Sequence, residues 1–340
     1  MKLHLPKIEN IVLLGGGPLL VSLALWCKSK GVPIYVVTSP RHAEEIVENG
    51  SSLSQILDLH SISYLVESDI SSVDVLNYLS DLSASFCLSL GAAWIFKAPI
   101  IENLFRGRLF NLHGTRLPQN RGGGAFSWQI LMGNRLGFCQ LHMIDAGVDT
   151  GDIVKTSEFL YPASCRTPMD YQRVYVENNL EFILNFIEKI ISSESLFHTK
   201  KQLDYLSSYW PRLNAEINGW IDWEEDIQSL DKFICAFDEP YEGAKSYLNS
   251  KKVHIKNVMA DFSDNHFHPF QYGLIYRKGP SWLIVSVKGG SLIIQNITDE
   301  NGNSIFENVQ LGDRLVTPME KIQSRFARVT YSPKGLNVPE

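Results

Sequence analysis

The chain has 340 residues, of which 44% are hydrophobic and 20% are charged, so its length suits two domains and its composition is that of a folded soluble protein. No apolar run approaches the roughly 20 residues that a membrane-spanning helix needs. The first ten residues also lack the apolar core of a secretory leader. The net charge of −6, without any cluster of Lys and Arg, argues against a nucleic-acid partner.

The cysteines predict a reducing environment. They are scattered along the chain, with no Cys-x-x-Cys spacing and with mostly apolar neighbours. Such residues are typical of buried free thiols, which favours a cytoplasmic location. The five are Cys27, Cys87, Cys139, Cys165 and Cys235.

Short apolar runs alternate with helical patterns in the N-terminal part of the chain. This alternation is typical of an α/β domain with a Rossmann-like, mostly parallel sheet and helices on both faces. Predicted strands cover residues 10–14, 32–37, 63–66 and 86–90, and predicted helices cover residues 19–26 and 73–82.

Three glycines, Gly15, Gly16 and Gly17, follow the first apolar run. A glycine-rich turn can cradle a phosphate, but these three lack the spacing of a dinucleotide fingerprint. We therefore favour a tight turn that joins strand to helix, with nucleotide binding as the alternative.

An amide and an imidazole stand two residues apart at the end of another predicted strand, residues 107–112. Side chains alternate along a strand, so Asn111 and His113 leave the same face. A carboxylate, Asp149, follows later in a turn bracketed by two glycines. Loop residues at the end of a buried strand are where α/β folds place their chemistry.

These three groups suit acyl transfer to an amine. A histidine can accept the proton of the amine near neutral pH, and a nearby aspartate favours the charged imidazole. An asparagine amide can donate a hydrogen bond to the oxyanion of the tetrahedral intermediate. No Ser or Cys occupies a nucleophile elbow in the motif, which favours direct transfer. A single polar residue on a strand is more often an interior group with a structural hydrogen bond than a catalytic one. Three such residues in an ordered motif favour catalysis instead.

The predicted secondary structure changes after a long helix predicted over residues 170–191. Several short β-type runs around one helix, residues 226–237, indicate a small OB-like barrel or open β module. The pair Gly289 and Gly290 is a hairpin signal. The runs cover residues 219–223, 253–258, 274–277, 283–287 and 292–297. We predict a catalytic domain over residues 1–205, a linker over 206–218, a β-rich domain over 219–318 and a tail over 319–340.

Two other features have polar side chains that could take part in catalysis or bind a metal. His142 lies in a β-type run, residues 137–144, where a packing role is more common than a catalytic one. The segment 261–268 has alternating histidines among acids, which could chelate a metal, but it is typical of a polar loop. We therefore favour packing for His142 and predict no metal.

The motif resembles the family of formyltransferases that use 10-formyltetrahydrofolate, whose pattern is Asn-x-His, then Leu-Pro, Arg-Gly and Gly-x-Asp-Thr-Gly. The resemblance covers roughly residues 85–310, and it includes Asn218 to Trp223 and Glu239 to Ala244, which are similar to the start of the family's C-terminal domain. It implies a catalytic trio of Asn111, His113 and Asp149 with the folate as cosubstrate. The matching residues are Asn111, His113, Leu117, Pro118, Arg121, Gly122, Gly147, Asp149, Thr150 and Gly151. The implied folate contacts are Leu90, Gly91, Trp94, Ile95, Asp145 and Gly147.

The chain departs from the family pattern beside the motif. Gly114-Thr115-Arg116 stands where Pro-Ser-Leu is usual, and Gly123-Gly124 follows Arg121-Gly122. These positions concern the formyl acceptor rather than the donor. Arg116 could contact a phosphate, or it could be a surface residue. The predicted substrate contacts are Arg116, Arg121, Gly122 and Gly123.

The leading hypothesis is an enzyme that formylates the free amine of a nucleotide-linked amino sugar, a step of lipopolysaccharide or O-antigen biosynthesis. The first alternative is a methionyl-transfer-RNA formyltransferase, which would need a basic face that the composition does not indicate. The second is a catalytically silent folate-binding protein, against which the intact trio argues. The second domain could bind substrate, build a homodimer or stabilise the first.

Overall fold

The computed structural model of the protein describes residues 2–48, 50–263 and 266–326. The chain forms two compact units, each assembled from several stretches. Unit 1 comprises Met1–Gly122, Leu136–Leu160 and Val174–Trp210, and unit 2 comprises Gly123–Arg135, Tyr161–Arg173 and Pro211–Glu340. The domain boundaries inferred from the sequence stay predictions, and part of the predicted tail, residues 327–340, lies outside the described residues.

The strands of unit 1 are β1 (Lys2–Leu5), β2 (Asn10–Gly15), β3 (Ile34–Thr38), β4 (Ile46–Glu48), β5 (Ser51–Ser52), β6 (Tyr64–Val66), β7 (Ser85–Leu90), β8 (Leu109–His113), β9 (Arg121–Gly122), β10 (Leu136–Met143), β11 (Ile153–Leu160), β12 (Ser195–His198) and β13 (Tyr209–Trp210). Those of unit 2 are β14 (Ala244–Leu248), β15 (Lys251–Asp261), β16 (Ile275–Lys278), β17 (Leu283–Val287), β18 (Gly290–Thr298) and β19 (Leu315–Val316).

The α-helices are α1 (Pro18–Ser29), α2 (Pro40–Ala43), α3 (Leu53–Leu59), α4 (Val73–Tyr78), α5 (Ala98–Ile100), α6 (Ala125–Leu131), α7 (Pro168–Ser192), α8 (Ala215–Asn218), α9 (Ile227–Ala236) and α10 (Met319–Gln323). A π-helical turn covers Ile101–Phe105, and short 3-10 turns cover Asp204–Leu206, Pro269–Gln271, Phe306–Asn308 and Ser324–Phe326.

A seven-stranded sheet in the order β11-β10-β8-β7-β2-β3-β6 organises unit 1. The strands from β8 to β6 are parallel, while β10 pairs antiparallel with both β8 and β11. The predicted Rossmann-like, mostly parallel sheet is therefore confirmed. The antiparallel pair at one edge arises because residues 144–152 join β10 to β11 as a hairpin, which needs no crossover helix.

Hydrophobic side chains cover both faces of this sheet. Ile11 and Leu13 of β2 pack with residues of α1, α3 and α7 on one side. Their neighbours Val12 and Leu14 pack with residues of α4 and of the segment around α5 on the other. Alternate residues of a buried strand thus enter different cores, and the predicted helices on both faces are confirmed.

The glycine turn after β2 has a steric cause. Gly15 has φ of 125°, and a Cβ at this position would overlap the carbonyl oxygen of Leu90 in the neighbouring strand β7. Only glycine permits both this backbone conformation and this close approach. The contact supports the tight-turn interpretation.

Unit 2 has a six-stranded antiparallel sheet in the order β16-β17-β18-β15-β14-β19. Helix α9 begins after Asp226, whose side chain accepts hydrogen bonds from the backbone of Gln228 and Ser229. The predicted β-rich module with one helix and the hairpin at Gly289 and Gly290 are confirmed. The strand predicted at residues 219–223 is wrong, because Trp220 forms only an isolated bridge with Lys245.

The cysteines form no disulfide, and all but Cys165 are buried. This agrees with the free thiols expected from the sequence. Among the described residues, no helix combines the length and apolar character needed to cross a bilayer.

Candidate active site

The strand β8 carries two of the predicted catalytic side chains. Phe110 and Leu112 enter the core beside α7, so the residues between and after them face the other way. Asn111 lies opposite His142 of β10, and His113 lies opposite Gln140. The pairing of β8 with β10 thus sets two histidines and an amide side by side.

Asp149 reaches this cluster from the loop between β10 and β11. Its backbone has φ of 54°, the left-handed conformation that aspartate tolerates better than most residues. The amide of Gly122 donates to Oδ2 of Asp149 over 2.9 Å, and Nε2 of Gln202 donates to its carbonyl oxygen over 2.9 Å. Backbone and side chain of Asp149 are therefore both held in place.

The carboxylate of Asp149 lies between the amide and the imidazole of the motif. Nδ2 of Asn111 is 3.5 Å from Oδ1 of Asp149, and Nδ1 of His113 is 3.7 Å from Oδ2. The structure thus brings together the three residues that the sequence singled out. Their catalytic roles stay a prediction.

His142 is a fourth member of the cluster. Its Nδ1 donates to the carbonyl oxygen of Met143 over 2.8 Å, so its Nε2 accepts a hydrogen bond from Nδ2 of Asn111 over 3.1 Å. The same Nε2 is 3.5 Å from Oδ1 of Asp149. The sequence favoured packing for His142. Its pairing with Asn111 across β10 and β8 brings it to the cluster, and this pairing is a long-range contact.

Burial and charge set the protonation of the cluster. Desolvation lowers the pKa of His113 below its ordinary value of 6.5 and His142 lowers it further, while the negative charge of Asp149 opposes both. Burial alone would raise the pKa of Asp149, but His113, His142 and the Gly122 amide outweigh it and hold the pKa well below its usual range. Asp149 is thus ionised, and His113 is neutral at pH 7 and available as a base.

Three ligand-type atoms of this cluster lie within 4.8 Å of one another, on His113, His142 and Asp149. Two imidazoles and a carboxylate are a donor set that divalent metals accept. Here the Asn111 amide lies against two of the three, because it donates toward both His142 and Asp149. The Asn111 amide therefore engages lone pairs on two of the three groups that would bind a cation, His142 and Asp149.

The residues predicted to contact folate lie at two places in unit 1. Leu90 ends β7, Gly91 follows with φ of 59°, and the Trp94 indole donates to the carbonyl oxygen of Ser68 over 3.2 Å. Ile95 is 45% exposed.

The other place is the loop between β10 and β11. Oδ1 of Asp145 accepts a hydrogen bond from the amide of Gly147 over 3.1 Å, and another from the Thr150 hydroxyl. These bonds shape the turn that carries Asp149. Folate binding by both groups stays a prediction.

The predicted substrate contacts differ in their surroundings. Arg116 is exposed, whereas Arg121 is buried and its guanidinium bonds to Gln202 and Asp204. The Gly122 amide donates a hydrogen bond to Asp149. Gly123 belongs to unit 2, where a Cβ added at this position would lie 3.3 Å from Cβ of Arg212. Arg121 thus supports the loop of Asp149, and Arg116 has the exposure that a phosphate contact needs.

Sequence reasoning did not single out Gln202. Its Nε2 bonds to the carbonyl oxygens of Asp149 and Gly151, over 2.9 and 2.7 Å, and its Oε1 accepts from Nε of Arg121 over 3.1 Å. The residue follows two lysines in a polar stretch after the predicted helix. No local pattern marks it, because its role depends on contacts with residues 51 and 53 positions away in the sequence.

The site thus has a buried imidazole beside a half-buried carboxylate and a half-buried amide, at the edge of a Rossmann-like sheet. Residues 215–306 match the family described as the formyl transferase C-terminal domain. The resemblance drawn from the motif is thereby confirmed, and the chain carries the C-terminal domain of the formyl transferases.

The chain is similar in sequence to two kinds of known protein. It is 29% identical over 265 residues to the bifunctional polymyxin resistance protein ArnA of Wigglesworthia glossinidia brevipalpis, covering 74% of this chain and 37% of ArnA. It is 28% identical over 220 residues to the methionyl-tRNA formyltransferase of Geotalea uraniireducens, covering 61% and 63% of the two chains. The matched region therefore spans less than two thirds of either relative.

Two solved structures share the fold over nearly their whole length. One is WlaRD, a sugar 3N-formyl transferase solved with dTDP and 5-N-formyl-THF, with TM-score 0.64, 22% identity, and 85% and 97% of the two chains covered. The other is the N-formyltransferase of Helicobacter canadensis with folinic acid and dTDP-3-aminofucose, with TM-score 0.65, 20% identity, and 86% and 100% covered.

Proposed function

We propose that the protein transfers the formyl group of 10-formyltetrahydrofolate to the free amine of a nucleotide-linked amino sugar. The observation that carries this proposal is the joint placement of Asn111 and His113 on either side of the Asp149 carboxylate. The family match and the two solved relatives support formyl as the transferred group and folate as its carrier.

The cluster has a group for each step of such a transfer. The amine nitrogen attacks the formyl carbon, and a new C–N bond forms as the carbonyl electrons move to oxygen. His113 takes the amine proton, Asp149 stabilises the resulting imidazolium, and the Asn111 amide donates to the oxyanion. Collapse breaks the bond between the formyl carbon and N10 of the folate, and the proton from His113 goes to N10.

The charge of the chain favours a small acceptor over a transfer RNA. A protein that binds a polyphosphate backbone usually has an excess of Lys and Arg, whereas this chain has a net charge of −6. One exposed cation such as Arg116 suffices for a diphosphate. Cysteines that form no disulfide fit a cytoplasmic enzyme.

The test is an acceptor panel. Purified protein and 10-formyltetrahydrofolate are incubated with a set of nucleotide-linked amino sugars, and mass spectrometry records which acceptor gains one formyl group. We expect formylation of at least one sugar. Formylation of charged initiator transfer RNA, with no activity on any sugar, would contradict the proposal. Folate binding without transfer to any acceptor would favour a silent binding protein.

A variant separates chemistry from folate binding. His113→Asn removes the base and leaves a polar side chain of similar reach, so we expect turnover to fall by about a hundredfold to ten-thousandfold. Binding of 5-formyltetrahydrofolate, measured by calorimetry, should stay close to that of the unchanged protein. A variant that keeps most of its turnover would exclude His113 as the base. His254→Asn, at a buried histidine of unit 2, is the matched control.

A further inference from the structure

His113 has a second set of contacts, on the side of its ring away from Asp149. Its Nε2 is 2.7 Å from the Thr115 hydroxyl and 2.8 Å from the carbonyl oxygen of Asn120. The same hydroxyl donates to that carbonyl oxygen over 2.8 Å. Three polar atoms therefore form a closed triangle, and Thr115 is 2% exposed.

The count of protons in this triangle fixes the tautomer of His113. A carbonyl oxygen cannot donate, so a contact of 2.8 Å with Nε2 requires the proton on Nε2. The Thr115 hydroxyl can then accept from Nε2 while donating to the Asn120 carbonyl, so each of the three atoms of the triangle has a partner. With the proton on Nδ1 instead, two lone pairs would face each other inside a buried site, which is costly.

The Asn120 carbonyl does not depend on His113 for its position. The backbone amide of Asn120 donates to the carbonyl oxygen of Arg116 over 2.6 Å. The backbone amide of Leu117 donates to Oε1 of Gln140 over 2.6 Å. Gln140 lies opposite His113 in the β8–β10 pairing. The loop that contains Thr115 and Asn120 is thus tied to the sheet on its own.

We infer that Thr115 and the Asn120 carbonyl are positioning groups that hold His113 with its proton on Nε2, so that Nδ1 is the nitrogen that accepts the proton of the substrate amine. This assignment rests on the proposed formyl transfer and adds the atom at which the base acts. In the resting site, Nδ1 faces the Asp149 carboxylate across 3.7 Å, which is too long for a hydrogen bond. The arriving proton completes that contact and converts it to an ion pair.

Nuclear magnetic resonance of the ¹⁵N-labelled full chain tests the tautomer directly. The His113 signals are assigned by their loss in His113→Asn, and they are read above the midpoint of the histidine titration. We expect Nε2 in the protonated class and Nδ1 in the unprotonated class. A neutral ring protonated at Nδ1 would overturn the inference. No substrate is needed, so failure of the proposed function and failure of this assignment are distinguishable.

A pair of variants tests Thr115. Thr115→Val keeps the shape of the side chain and removes the hydroxyl that accepts from the charged imidazole. We expect formyl transfer to fall by about tenfold to a hundredfold and the His113 titration midpoint to fall as well. Thr115→Ser restores the hydroxyl and should recover both.

An unchanged rate and midpoint in Thr115→Val would refute the role of Thr115. Should that variant not fold, Thr115→Ser remains as a test. It retains the hydroxyl, so a large loss of transfer with an unmoved Nε2 signal would refute the role equally.

Discussion

Oδ2 of Asp149 lies 3.7 Å from Nδ1 of His113, yet its short hydrogen bond, 2.9 Å, is with the amide of Gly122. The carboxylate is thus fixed by the backbone and not by the ring beside it. It acts on His113 through its charge, which favours the imidazolium that forms when the base takes a proton. Desolvation by burial and three groups set the pKa of His113: Asp149, His142 and the Asn120 carbonyl.

The titration of His113 should reflect this balance. Desolvation lowers its pKa below 6.5 while Asp149 raises it, so we expect a midpoint below 6.5 in the unchanged protein. Asp149→Asn removes the opposing charge, and the midpoint should move lower still. Because a lowered pKa keeps the base neutral, the competent form persists at pH 7 and is lost as the pH falls through the midpoint. A midpoint above 6.5, or an upward shift in Asp149→Asn, would contradict the assignment; both are read by NMR titration.

Gln202→Ala should damage both stability and turnover. The substitution leaves two carbonyl oxygens of the Asp149 loop and Nε of Arg121 without their partner in a buried site. We expect a loss of about 1–3 kcal/mol in the free energy of unfolding, measured by urea denaturation, and a lower kcat.

Asp204→Asn is the control for Gln202, since Asp204 also bonds to Arg121 but its side chain is 86% exposed. Removing its charge should cost less than about 1 kcal/mol. Equal losses in the two variants would mean that Gln202 has no special part in holding the loop.

Gly122→Ala should displace the support of Asp149. Gly122 has φ of 102°, and a Cβ there would overlap the carbonyl oxygen of Trp210 and lie 3.0 Å from Cζ of Tyr209. The strand pair must separate to admit it, which moves the amide that holds Oδ2. We expect a large loss of turnover together with a lower Tm.

Gly107→Ala separates backbone strain from this clash. Gly107 has φ of 76° with nothing within 4 Å of its Cβ position, so only the conformational cost of about 1 kcal/mol applies. A Gly122→Ala variant no worse than Gly107→Ala, in both Tm and turnover, would count against the proposed support of Asp149.

Arg116→Ala tests the acceptor side. The side chain is exposed, so its removal should leave the free energy of unfolding within about 0.5 kcal/mol of the original. If the guanidinium contacts a phosphate of the acceptor, KM for the nucleotide sugar rises severalfold while kcat changes little. Arg173→Ala, at another exposed arginine, is the control. A KM equal to that of the control would assign Arg116 to the surface.

The sequence pattern within short segments was sufficient to predict the features that depend on residues close in sequence. The alternation of apolar runs predicted the parallel sheet, and the i, i+2 spacing of Asn111 and His113 placed both on one face of β8. The contribution of His142 and Gln202 depends on which strand pairs with β8 and on where the chain after α7 returns. Those are long-range contacts, and no spacing within a short segment encodes them.

The strand predicted at residues 219–223 shows the opposite failure. Its β-type residues favour a strand, but the Trp220 indole donates to the Glu216 carbonyl oxygen, and its ring stacks on that of Tyr247 with the centroids 5.4 Å apart. The segment is therefore held by side-chain contacts, with a single isolated bridge between Trp220 and Lys245 in place of a ladder of hydrogen bonds.

A competition in one vessel tests formyl transfer to a sugar most directly. The protein receives 10-formyltetrahydrofolate labelled with ¹³C in the formyl group, together with the amino-sugar nucleotide from the panel and charged initiator transfer RNA. Mass spectrometry then measures where the label goes. We predict that the label appears on the sugar amine and that His113→Asn slows its appearance by about a hundredfold or more. Label on the transfer RNA alone, or on neither acceptor, would contradict the proposed function.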